Sequence, residues 1–307
     1  MTALLSSRPT TGNRTLLPFT IFNPQTIFNA HKARVIADGG VILNEGSLLD
    51  EITFLVGEGM WEYVTFYASP EWGIKYDTDG ISVLKMYGLG PTDFISYDVG
   101  RALKRPITID TSVSPPKIKM WVWDGGSLMR AEKLVTAQYS KNSPYLFSAI
   151  MDDTESSDAA GISIVACRTG HVNSMAGITV ERATNKPTPT DIGFQHSAAM
   201  VYPATVTANW INYIRTPYVA NIKNAMLLNP VSGTMLSYEN GTLVHTTVSS
   251  SGVLVDSTAE PMQFNIGPTN NAVSAWVSGY ITRGGLTRLR CLSYATPAQA
   301  ELISKRG

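Results

Sequence analysis

From residue 118 onward the chain is a succession of short β-branched and aromatic segments cut by turn signals, a pattern that leaves few folds open. Candidate strands cover 118–123, 145–151, 161–168, 175–182, 194–201, 210–216, 225–229, 234–239, 242–249, 262–267 and 274–282. Pro230-Val231-Ser232-Gly233, Asn240-Gly241 and Gly284-Gly285 supply turn chemistry between them. Many short strands at loosely regular spacing predict an antiparallel β-sandwich or jelly roll. Along 235–239, Met235, Ser237 and Glu239 share one face and Leu236 and Tyr238 the other, so one buried and one wet face is expected. No internal repeat of about 20–50 residues supports a solenoid or propeller.

The first hundred residues read differently. Asn23 precedes Pro24 at a first helical position, and Ile27, Phe28, Ala30, Val35 and Ile36 form an apolar stripe up to Asp38-Gly39-Gly40, predicting a helix over 24–37. Asn44 or Glu45 opens a second helix through Leu48, Leu49, Ile52, Phe54, Leu55 and Val56, stopped by Gly57-Glu58-Gly59. A strand-like stretch over 60–68 follows, then a hairpin with arms 73–76 and 81–87 and its turn at Asp79-Gly80. Pro106, Pro115 and Pro116 among Ser and Thr read as an extended connection. The expected organisation is an arm over 1–18, a small α+β attachment domain over 19–105, a linker over 106–117 and a β-sandwich over 118–307. Thr296 and Pro297 predict a closing helix at the end of the last unit.

Composition narrows the function classes. Lys+Arg 24 against Asp+Glu 24 leaves no cationic excess for phosphates, so no nucleic-acid partner is expected. The longest apolar runs, such as 164–167 and 225–228, fall far short of the roughly 20 residues that cross a bilayer, so no membrane insertion is expected. Residues 1–15 lack an apolar run with a small-residue cleavage site and read as a polar arm, without Sec export. Cys167 and Cys291 are far apart on strand-like segments and read as two buried thiols.

The hairpin Leu236-Ser237-Tyr238-Glu239-Asn240-Gly241-Thr242-Leu243-Val244, the strands Met262-Gln263-Phe264-Asn265-Ile266-Gly267 and Trp276-Val277-Ser278-Gly279-Tyr280-Ile281, and the terminal Thr296-Pro297-Ala298-Gln299-Ala300-Glu301 occur in an order that resembles a concanavalin A-like (laminin-G-like) jelly roll. The likeness covers about 117–307. The earlier Ala33-Arg34-Val35-Ile36-Ala37-Asp38-Gly39-Gly40, followed by a helix and Met60-Trp61-Glu62-Tyr63-Val64, resembles the amino-terminal segment of tailed-bacteriophage virion proteins, which commonly precedes a lectin-like domain. The resemblance implies a structural component of a phage particle, such as a tail-tip, baseplate or fibre protein. Its partners would be other virion proteins, copies of itself, with a trimer by analogy, and a host-surface glycan. The arm over 1–18 would order on docking.

Candidate chemistry is sparse. Trp121, Trp123, Trp210 and Tyr213 are the candidate sugar-stacking residues, weighed against packing in the sandwich core. Trp121 and Trp123 share a strand face by the period of two. Jelly-roll glycosidases of the retaining type need two carboxylates about 5 Å apart, usually alternating on one strand, and no such run is present. Asp152-Asp153-Thr154-Glu155, with Asp158, reads as a solvated loop; Asp152, Asp153 and Asp158 are the only candidate ligands for a cation, and Ca²⁺ is the cation they would suit. His31, His171, His196 and His245 lack metal-ligand spacing, and no Gly-x-Ser-x-Gly elbow marks a nucleophile. The expectation is a non-enzymatic virion protein without a cofactor. A capsid decoration or head-fibre protein is the alternative, and a polysaccharide-degrading enzyme a more distant one.

Overall fold

The computed structural model describes residues 22–98, 106–121, 127–132, 143–156, 162–169, 175–182, 192–199, 210–215, 219–229, 231–248, 262–266 and 282–307. Helix α1 (Pro24–Ala37) begins at Asn23, whose side chain accepts the Thr26 N–H; α2 (Glu45–Gly57) begins at Asn44, which accepts from Ser47. Both caps supply an acceptor to an amide that a helix start leaves without a partner. A 3₁₀ turn (Trp61–Tyr63) leads into β1 (Val64–Ala68), β2 (Ile74–Tyr76), β3 (Val83–Met86), β4 (Gly88–Leu89) and β5 (Phe94–Asp98). Then come β6 (Thr108–Asp110), β7 (Lys117–Trp121), β8 (Ser127–Ala131), β9 (Tyr145–Ser156), β10 (Ile162–Thr169), β11 (Met175–Arg182) and β12 (Ile192–Ala199). The chain continues through β13 (Trp210–Arg215), β14 (Asn224–Asn229), β15 (Thr234–Glu239), β16 (Thr242–Val248), β17 (Met262–Ile266), β18 (Thr282–Ser293) and α3 (Pro297–Ile303).

The strands form two antiparallel sheets. Sheet I runs β16-β15-β14-β9-β18-β1-β4, with β7 also on β18 and β6 on β7; sheet II runs β13-β12-β11-β10-β17-β8-β5-β3-β2. The main core lies between them: Phe66, Phe147, Met226, Met235 and Leu289 from sheet I meet Met86, Phe94, Met129, Ile211 and Ile266 from sheet II. A second core fills the outer face of sheet I, where Leu48, Ile52 and Leu55 of α2 and Ala300 and Ile303 of α3 pack on Tyr67, Leu146, Leu227 and Leu292. The protein is therefore mainly β, a jelly-roll sandwich with a helical layer on one face.

Five sequence expectations change. The stretch 106–117 is not a free connection, because β6 within it pairs with β7 and Thr108 bridges to Ser82. Strands β1 and β4 sit in sheet I and β2, β3 and β5 in sheet II, so residues expected to form a separate attachment domain complete both sheets of the same sandwich. Gly284-Gly285 is no turn: it lies inside β18, where the register against β9 shifts by a bulge. For the same reason Asp152-Asp153-Thr154-Glu155 is strand and not loop, since β18 gives it a partner, with Asp152 opposite Gly285 and Glu155 opposite Arg283. Finally, neither face of β15 is wet: Met235, Ser237 and Glu239 face the intersheet core and are buried, while Tyr238 is buried and Leu236 half-buried beneath the helical layer. The arm over 1–18 lies outside the described residues, as does the strand expected over 274–282 apart from Thr282.

Buried charge fastens the helical layer to sheet I. Arg288 donates to Glu71 at 2.6 Å and to the Ser69 hydroxyl, with its guanidinium 4.7 Å from the Trp72 ring centre. Arg290, fully buried, lies 3.4 Å from Glu51, which also accepts from Tyr67 at 2.5 Å and from Arg306 at 3.1 Å. Burial pushes the Glu51 carboxyl up, but the Arg290 charge, the Tyr67 hydrogen bond and Arg306 outweigh it and hold the group below its ordinary value. At the far end of α1, His31 donates from Nε2 to the Trp72 carbonyl at 2.9 Å, leaving Nδ1 to accept from Arg34, which grips Asp93 with 2.6 Å and 2.8 Å contacts.

Candidate functional site

The two sheets meet along one flank, where the edge strand β13 of sheet II faces the β15–β16 hairpin of sheet I. Asn240 and Gly241 turn this hairpin with φ of 48° and 82°, the left-handed pair that a tight two-residue turn requires. That turn, with a bulge between Ser237 and Tyr238, sets His245 opposite Ser237 and Thr242 opposite Glu239. His245 and Glu239 thereby face β13.

From β13, Ile211 enters the core, and Tyr213, two residues on, shares its face. The Tyr213 ring stacks on His245 with centres 5.0 Å apart and planes 22° from parallel. Its hydroxyl donates to Glu239 Oε1 at 3.0 Å, while Arg215 Nε meets Glu239 Oε2 at 2.8 Å. The buried carboxylate is thus gripped by two side chains of the opposite sheet. Burial and the Glu239 hydrogen bond push the Tyr213 hydroxyl up to about 12, so it stays a donor at every physiological pH.

Beneath the pair lies His196 of β12, fully buried, its ring 6.1 Å from Tyr213. Asn224 Nδ2 donates to the carbonyls of Ala149 at 2.6 Å and Ile222 at 2.9 Å, which leaves Oδ1 to accept from His196 Nε2 at 3.4 Å. Nδ1 then accepts from the Ser237 hydroxyl at 2.9 Å. This is a neutral imidazole, and burial, against the Asn224 hydrogen bond, lowers its pKa to about 3.

The outcome is an aromatic pair with an exposed imidazole, a half-buried phenol and an ion pair at its rim. Such a surface can contact the apolar face of a sugar ring while polar groups meet its hydroxyls. Of the residues singled out in the sequence, Tyr213 is placed here. Trp210 lies at the start of the same strand opposite Ala199, and Trp121 on β7 opposite Arg283, both described by backbone alone. Trp123 and Asp158 lie outside the described residues, and Asp152 and Asp153 are described by backbone alone in β9. Glu239, His245 and Arg215 were not singled out. The Asn240-Gly241 turn could have paired His245 with β15, but the contact with β13 crosses between sheets, and no local pattern encodes that.

No known protein-family pattern matches the sequence, and no curated protein matches it. Among solved structures, one described as showing that cell entry of botulinum neurotoxin type C depends on interaction with two ganglioside molecules is similar at a TM-score of 0.50 and 10% identity, over 80% of this chain and 52% of that one. The binding domain of botulinum neurotoxin DC in complex with SialylT is similar at 0.50 and 8% identity, with the same coverage of 80% and 52%. The present chain thus spans about half the length of those it resembles. At this identity the likeness is one of fold, and it agrees with the antiparallel jelly-roll sandwich seen here.

Proposed function

We infer that the protein is a non-enzymatic binding module whose jelly roll takes a glycan at the Tyr213–His245 flank, within a structural protein of a tailed-phage particle. The observation that carries the binding reading is the stacked pair itself, with its imidazole exposed and its phenol anchored on Glu239. The botulinum structures with ganglioside and sialyl descriptions support it as relatives in fold. The particle assignment rests on the resemblance of residues 33–40 and 60–64 to virion proteins, with a tail, baseplate or fibre position as first reading and capsid decoration as the second.

The carboxylates speak against hydrolysis. Every buried acid among the described residues, Glu51, Glu71, Asp93 and Glu239, meets an arginine. For Glu51 and Asp93 those partners outweigh burial and lower the pKa, whereas a general acid for glycoside cleavage needs it raised.

The test is binding of the purified chain to a glycan array and to whole bacterial cells, with His245→Ala as the variant. His245 is exposed, so the variant keeps the fold while removing half of the aromatic surface. Loss of about tenfold or more in affinity, near 1.4 kcal/mol, is expected. Glycan binding that is unchanged in His245→Ala overturns the site, and release of reducing sugar from a bound polysaccharide overturns the non-enzymatic reading.

A further inference from the structure

The sheet edges are unequal. On one flank they are short: β4 has 2 residues, β6 has 3, and β2 has 3 and is bridged by Val41. Short edges give another chain little to pair with. On the opposite flank sheet I ends in the 7 residues of β16, which among the described strands pairs with β15 alone. Thr242-Leu243-Val244-His245-Thr246-Thr247-Val248 contains no Lys, Arg, Asp, Glu or Pro, so it lacks the side chains that usually guard an edge. Leu243, Val244 and Val248 are 48%, 40% and 65% exposed, and only Thr247 of the strand is partly covered.

Exposure extends to both faces. Thr246 stands opposite Leu236 on the helical side and His245 opposite Ser237 on the side of sheet II. A ligand resting on one face would cover one row of side chains and leave the backbone edge open. A strand from another protein chain satisfies that edge.

We propose that β16 is the self-association edge of this protein and pairs antiparallel with β16 of a second copy across a two-fold axis. An uncharged strand opposes no like charges when it meets itself, and it offers no complementary charge to select a charged partner. The bulge between Ser237 and Tyr238 puts the irregularity near Val244, so the new ladder uses 245–248. The two-fold then sets Thr246 against Thr247 of the second copy and His245 against its Val248. Paired threonines are favourable cross-strand neighbours. A two-fold contact closes at two copies, which gives a dimer in place of the trimer expected by analogy. The proposal does not depend on glycan binding.

The test is sedimentation velocity of the full chain from nanomolar to high micromolar concentration. A dimer mass is expected. Thr246→Lys and Val248→Lys, at exposed positions inside the ladder, should each raise the dimer dissociation constant at least about tenfold with the far-ultraviolet circular dichroism unchanged. Thr242→Lys, outside the ladder, should leave it within about twofold. A wild-type chain that stays monomeric throughout overturns the proposal. So does an oligomer in which both ladder variants assemble like wild type, or one that Thr242→Lys disrupts as strongly as they do.

Discussion

Neutral, fully buried His196 makes folding stability depend on pH in a way that can be worked out in advance. An imidazole at 6.5 in the unfolded chain and about 3 in the fold leaves the folded state with fewer bound protons between those values. Stability from this group is therefore present above pH 6.5 and lost as pH falls, with the loss complete near pH 3. The full loss is roughly 5 kcal/mol, and the part lost between pH 7 and pH 5 is about 2 kcal/mol. Replacing the residue with glutamine keeps a polar group facing Ser237 and Asn224 but removes the titration. The assay is urea denaturation of wild type and His196→Gln at both pH values. Both chains share every other titrating group, including His31, whose pKa burial also lowers. The variant is less stable at pH 7, yet its drop between pH 7 and pH 5 should be smaller than that of wild type by about 2 kcal/mol. Equal drops would refute the reasoning, since they would mean that His196 is reached by water and protonates without cost.

Other perturbations probe separate parts of the fold. Arg288→Met leaves Glu71 buried without its guanidinium and should cost about 3–5 kcal/mol, read as a fall in the urea midpoint. Thr296→Ala removes the capping box in which Thr296 and Gln299 exchange hydrogen bonds, costing about 1 kcal/mol by the same measurement. Gly241→Ala places a methyl group against the Lys305 side chain at a left-handed φ of 82°, so the β15–β16 turn should loosen and glycan binding at His245 weaken, while the core melts close to wild type.

The parts legible in the sequence are those with local chemistry. Asn23 with Pro24, Asn44, and Thr296 with Pro297 mark helix starts because caps act within a single turn. Asn240-Gly241 marks its hairpin for the same reason. Strand β18 was legible only around Cys291, because Gly284-Gly285 looks like a turn. Arg288 and Arg290 are buried with Glu71 and Glu51 as partners, on elements more than two hundred residues earlier. The candidate site shares that difficulty. Tyr213 stands out by residue type, but Glu239 and Arg215 become partners only when two different sheets face each other.

The position of β18 also bears on how the chain matures. It joins β9 on one side to β1 and β7 on the other, yet residues 282–293 come after every other strand in this sequence. During synthesis the earlier halves of sheet I have no bridge, and β1 and β9 wait with unsatisfied edges until this strand has left the ribosome. Such long-range closure favours slow folding. A nascent chain stalled or clipped ahead of residue 282 should therefore be a chaperone client and a source of inclusion bodies.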